Sequence, residues 1–88
     1  MKRELKIFSG RSNPALALKI AESAGCNLGD MSIKTFSDGE IWVKYEENIR
    51  GQDVFLIQST NAPSENIIEL ALMTDAAVRA SASTVNII

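Results

Sequence analysis

Leu5-Lys6-Ile7-Phe8-Ser9-Gly10-Arg11-Ser12-Asn13-Pro14 is the stretch whose reading decides the fold. Leu5 to Ser9 is a short apolar run ended by Gly10, the pattern of a buried first strand. Asn13 is a good N-cap and Pro14 a good first helical residue. Leu16, Ala17, Ile20, Ala21 and Ala24 then recur at helical spacing until Gly25 stops the turn. A helix apolar on one side packs on a sheet. Strand, glycine-containing loop and capped helix together predict the opening of an α/β layered fold.

Working outward, Asp53-Val54-Phe55-Leu56-Ile57-Gln58 has an unbroken apolar centre, which suits a central strand covered on both faces. Thr60-Asn61-Ala62-Pro63-Ser64 is turn chemistry. From Glu65 to about Ala80 a second helix is expected, with Ile67, Leu70, Ala71, Thr74, Ala77 and Val78 as its packing stripe. Thr84-Val85-Asn86-Ile87-Ile88 starts another strand and ends without a polar cap, which reads as a cut. No repeat or linker divides the chain, so residues 1–88 are expected to form a single partial domain.

Between these elements, Met31–Phe36 and Glu40–Tyr45 flank Ser37-Asp38-Gly39, and Asp-Gly between β-rich runs signals a hairpin over residues 31–45. Side chains alternate along a strand, so Met31, Ile33 and Thr35 share one face and Ser32, Lys34 and Phe36 the other. On the return strand Ile41, Val43 and Tyr45 oppose Glu40, Trp42 and Lys44. A three-residue loop with Gly39 left-handed sets Phe36 across from Glu40. The tip then offers a ring, two carboxylates and a tight turn. A purine fits that set: its face stacks on the ring and its exocyclic amine donates to a carboxylate. The plainer reading is that the phenylalanine packs on the body and that Asp-Gly serves the turn alone.

Composition limits the chemistry. The 88 residues include no histidine, so this chain holds no imidazole base, no Ser-His-Asp or Cys-His system and no His-ligated metal. Cys26 is the one cysteine, has no neighbouring cation, and reads as a small apolar residue. A net charge of -2 gives no drive toward nucleic acid or an anionic membrane, and neither is an expected partner. No signal peptide or bilayer-spanning run is seen, so the cytoplasm is expected. Gly10-Arg11-Ser12 is too short for a glycine-rich phosphate loop. A domain of this size buries only roughly 60% of its unfolded surface, so self-association is expected to help it.

Lys6-Ile7-Phe8-Ser9-Gly10, Ser12-Asn13-Pro14, Phe36-Ser37-Asp38-Gly39-Glu40, Ile49-Arg50-Gly51, Asp53-Val54, Gln58-Ser59 and Ala80-Ser81-Ala82-Ser83 occur in order along the chain. Taken together they resemble the start of the ribose-phosphate pyrophosphokinases, or PRPP synthetases. The resemblance implies a partial phosphoribosyltransferase-like three-layer α/β fold, the first half of that family's N-terminal domain, with a mostly parallel sheet. It implies an enzyme that moves diphosphate from magnesium-ATP to ribose 5-phosphate, giving PRPP and AMP, in a homo-oligomer. Phe36, Asp38, Gly39 and Glu40 then become ATP-binding residues, lent by the hairpin to a neighbouring subunit. Asn48, Arg50, Ser81 and Ser83 fall where many members bind a regulatory phosphate, although position 48 is often serine there. An ordinary exposed turn is the rival reading for Arg50-Gly51, and a polar helix exit is preferred for Ser81 and Ser83. The family's magnesium ligands and catalytic groups match no part of this chain, which alone is expected to be inactive. The alternative is a non-catalytic assembly module or an engineered fragment of the family.

Overall fold

The computed structural model describes residues 5–60 and 65–88. Of the turn expected at Thr60–Ser64, positions 61–64 lie outside the described residues. In chain order the elements are β1 (Leu5–Ser9), α1 (Pro14–Ala24), β2 (Met31–Thr35), β3 (Ile41–Tyr45), β4 (Asp53–Ile57), α2 (Glu65–Arg79) and β5 (Thr84–Ile87).

β1, β4 and β5 form a parallel sheet in that order, with Leu5 opposite Asp53 and Asp53 opposite Thr84. β4 is therefore the centre, as its continuous apolar run predicts. Alternation along the strands splits the core in two. Ile7 and Ile57 face Ala17 and Ala21 of α1, while Phe8, Val54 and Leu56 face Met73 and Ala77 of α2. The result is three layers, helix, sheet and helix. Asn13 caps α1 by accepting from the Leu16 N–H at 3.2 Å. At the other end Gly25 takes φ 74°. Cys26 is half-buried beside the α1 cluster, in keeping with an apolar role.

The α2 stripe differs from the expectation. Ala77 is buried and Leu70 packs against the core as that stripe has it, but the inward line runs on through Met73 and Glu69, whereas Ile67 and Val78 are exposed. α2 carries apolar side chains on nearly every side, so periodicity cannot choose among them. The chosen face contains a glutamate, which hides it further. Ile67, Leu70, Ala71, Thr74, Val78 and Ile87 instead line an open apolar groove.

β2 and β3 form a separate antiparallel ribbon, with Met31 opposite Tyr45 and Thr35 opposite Ile41. Its inner face lies over α2 and the main core through Met31, Ile33, Val43 and Tyr45. The Tyr45 ring meets Phe8 edge-on at 4.7 Å, and its hydroxyl donates to the Met73 carbonyl at 2.8 Å. Burial holds that phenol protonated well beyond its ordinary range. At the ribbon's base Lys6 pairs with Glu47 at 3.0 Å. The Asp30 N–H also donates to Glu47, and with Lys6 it lowers that carboxyl's pKa. Among the described residues no helix is long and apolar enough to cross a membrane.

Candidate functional site

The ribbon's tip has the register that side-chain parity predicts. Phe36 lies across from Glu40, its N–H donating to the Glu40 carbonyl at 2.8 Å, and the Gly39 N–H donates back to the Phe36 carbonyl at 2.9 Å. Gly39 takes φ 89°, which a side chain would oppose, and nothing lies within 4 Å of where one would start. The turn alone therefore demands glycine there.

Phe36 is 50% exposed. It belongs to neither core cluster. Asp38 Oδ1 accepts from the Glu40 N–H at 3.0 Å, so part of the Asp38 carboxylate serves the turn. Glu40 is exposed, and neither acid forms an ion pair among the described residues. On the same outer face Lys34 sits over the Trp42 ring, 5.5 Å from its centre. The tip thus gathers Phe36, Asp38, Gly39 and Glu40 as an open aromatic and acidic surface.

The second set of predicted residues gathers at the opposite end of the ribbon. Asn48 Oδ1 accepts from the Arg50 N–H at 3.0 Å, the Gly51 N–H donates to the Ser81 carbonyl at 3.0 Å, and the Ser83 N–H donates to the Gln52 carbonyl at 2.8 Å. The two loops are therefore laced together by backbone, with Asn48, Arg50, Ser81 and Ser83 all exposed. Ile49, a lone apolar residue between Asn48 and Arg50, is 1% exposed and pins that loop to the core. Asn48 also lines a cleft with Lys44, Tyr45 and Arg79. The two cations there carry no motif that would have marked them in the sequence.

Ser81 holds φ 64°, the left-handed position that Gly25 occupies after α1. The Ala82 N–H donates to the Ala77 carbonyl and the Ser81 N–H to that of Val78, the pairing that closes a helix on a left-handed residue. Such a conformation costs a side-chain-bearing residue about 1–2 kcal/mol. Ser81→Gly should therefore raise stability by roughly 0.5–1 kcal/mol, the rest being offset by the freer unfolded chain. Urea unfolding checks this, and a midpoint that stays put or falls would show that position 81 is unstrained.

A third polar cluster was not foreseen. α1 and α2 leave the sheet on opposite faces after β1 and β4, and the gap between two such strand ends is where α/β sheets often take a ligand. Here side chains fill it. Glu69, 3% exposed, accepts from Arg11 Nε and from the Arg11 N–H, each at 2.7 Å, and from Gln58 Nε2 at 2.8 Å. Gln58 Oε1 accepts from the Ser12 N–H and hydroxyl at 3.1 and 2.6 Å. A side chain at position 10 would run into Gln58, so Gly10 leaves the room this packing needs. Arg11 and Glu69 are 58 positions apart, and no local pattern connects them.

A three-stranded parallel sheet between helices, with a projecting ribbon, places the chain in the phosphoribosyltransferase-like α/β class. Residues 5–88 match the family described as the N-terminal domain of ribose phosphate pyrophosphokinase. A ribose-phosphate pyrophosphokinase from Fusobacterium nucleatum is 54% identical over 85 residues, covering 96% of this chain and 27% of the relative. The Bacillus subtilis ribose-phosphate pyrophosphokinase is 53% identical over 87 residues, 98% of this chain and 27% of its own. The crystal structure of phosphoribosylpyrophosphate synthetase from Mycobacterium smegmatis superposes with a TM-score of 0.92 at 34% identity, over 97% of this chain and 29% of that one. The chain belongs to the ribose-phosphate pyrophosphokinase family, and it spans about a quarter of the length of the curated relatives it matches.

Proposed function

We propose that this chain is the opening segment of a ribose-phosphate diphosphokinase, working as part of a cytoplasmic homo-oligomer. In that reaction the 1-hydroxyl oxygen of ribose 5-phosphate attacks the β-phosphorus of magnesium-ATP. The bond from that phosphorus to the α,β-bridging oxygen breaks, PRPP forms and AMP leaves. The segment's share is recognition: Phe36 stacks on adenine, Asp38 and Glu40 accept from the exocyclic amine, and Gly39 lets the backbone come close. The tip serves the ATP site of a neighbouring subunit.

The observation that carries this reading is the half-exposed Phe36 ring set across from Glu40, whose carboxylate is unpaired among the described residues. Among those residues no three acidic, cysteine or histidine side chains converge. Holding adenine supplies binding without phosphoryl chemistry, and the chain alone should not catalyse. Asn48, Arg50, Ser81 and Ser83 are proposed to hold a regulatory phosphate, Arg50 as a guanidinium fork. Lys44 beside Asn48 supports that role, although Arg79 in the same cleft is paired with Asp75 at 2.8 Å and Glu47 also lines it.

Titration of the chain with magnesium-ATP, followed by Trp42 emission, tests the adenine reading. A weak response in the millimolar range is expected, larger for ATP than for GTP, whose base has no amine at the equivalent carbon. No response, or an equal one to both, would sink it. The second reading, an assembly module, is favoured by the open groove between α2 and Ile87.

A further inference from the structure

The ribbon is attached to the body along the inner face of its base and middle, through Met31, Ile33, Val43 and Tyr45, and again near its tip. At its base stand the Tyr45 ring and hydroxyl and the Lys6–Glu47 pair. Toward the tip, Arg11 Nη2 donates to the hydroxyl of Thr35, the last residue of β2, at 2.8 Å. The Arg11 backbone and Nε are already committed to the buried Glu69 carboxylate. Clamping both fixes the side chain along its length, so the far arm of the guanidinium is aimed rather than free.

We infer that Arg11 is a positioning residue: held on Glu69, it grips Thr35 and so fixes the direction in which the Phe36–Glu40 tip projects. What that direction is for rests on the adenine-binding reading of the tip. Without that grip the stretch beyond the Ile33–Val43 pair, the last to pack on the core, is free to pivot on it. Five residues of strand span about 17 Å, so a swing of about 10° carries the tip roughly 3 Å, enough to lose a stacked ring. Lysine cannot replace this arginine. A single ammonium can pair with Glu69, but it has no second arm in fixed geometry for Thr35. The same carboxylate also holds Gln58, so Arg11 couples the tip to the ends of β1 and β4. The filled gap between those strands thereby acquires a task other than ligand binding.

The test uses Thr35→Val, Thr35→Ser and Arg11→Lys in the chain, with two readouts. Residual dipolar couplings give the orientation of β2 and β3 relative to the three-stranded sheet, and order parameters give the rigidity of residues 36–40. Thr35→Val and Arg11→Lys should reorient the ribbon and lower tip order parameters from about 0.85 toward 0.6, while Thr35→Ser, which keeps the acceptor, behaves as the parent. The ATP dissociation constant should rise roughly 3- to 10-fold in the first two and not in the third. Thr35 is exposed, so its variants should unfold at the parent's midpoint. Couplings in Thr35→Val that superpose on the parent's overturn the inference. Reoriented couplings in a chain whose parent binds no ATP uphold the positioning role and overturn the adenine reading instead.

Discussion

Phe8→Ala should cost about 3–5 kcal/mol of stability, the usual range for truncating a fully buried phenylalanine. The ring is 0% exposed and lies in the cluster of Val54, Leu56, Met73 and Ala77. One wall is the backbone of Gly29, where any side chain would strike the ring. Another is the edge-on Tyr45 ring. Backbone on one side and a hydrogen-bonded tyrosine on another limit how far the site can collapse, and poor collapse is what moves a truncation toward the upper end of its range. At about 0.05–0.15 kcal/mol per residue, 88 residues give a total stability of roughly 4–13 kcal/mol. The loss is thus about a quarter or more of the total, and where the total is near the lower bound a loss of about 5 kcal/mol unfolds the chain. Urea unfolding of Phe8→Ala and Phe8→Leu measures it. A loss below about 1 kcal/mol for the alanine variant would show that the sheet and ribbon do not meet through this ring.

On the proposed adenine-binding role of the tip, Phe36→Ala should do the reverse: stability stays within about 0.5 kcal/mol, as for exposed positions generally, while ATP recognition falls. Stacking of a base on an aromatic side chain has been worth roughly 1–3 kcal/mol per base, which corresponds to about 5- to 150-fold in affinity. Half of the Phe36 surface is open, so the ring has an unused face to offer. Phe36→Tyr keeps that face and should keep most of the affinity. The check is the ATP dependence of PRPP formation by the assembled enzyme, read as KM and kcat separately. A ring that only binds adenine moves KM. An unchanged ATP dependence in Phe36→Ala would remove the hairpin from the site.

These two phenylalanines also mark what the sequence discloses. Phe8 lies in an apolar run and Phe36 on the polar face of an alternating strand, and each stands where its pattern puts it. The ribbon's register, the central place of β4 and the capped start of α1 were legible for the same reason: short-range pattern and turn chemistry determine them. The inward face of α2 was not, because Glu69 is buried there only by virtue of Arg11 and Gln58, partners supplied from distant positions. The burial of Ile49 was not legible either, because one apolar residue between Asn48 and Arg50 has no period. Arg11 was read as loop, since its role depends on a carboxylate and a hydroxyl that tertiary packing alone brings to it. For the tip residues, strand parity was enough to set Phe36 across from Glu40, and the structure adds that Phe36 is half exposed.

The β2–β3 ribbon shares no backbone ladder with the other three strands. Its length and terminal loop can consequently be altered without forcing a shift of pairing in the principal sheet, which makes it a modular appendage in the engineering sense. A redesigned loop grafted between Thr35 and Ile41 would inherit the same mounting, and new specificities could be explored on an undisturbed chassis.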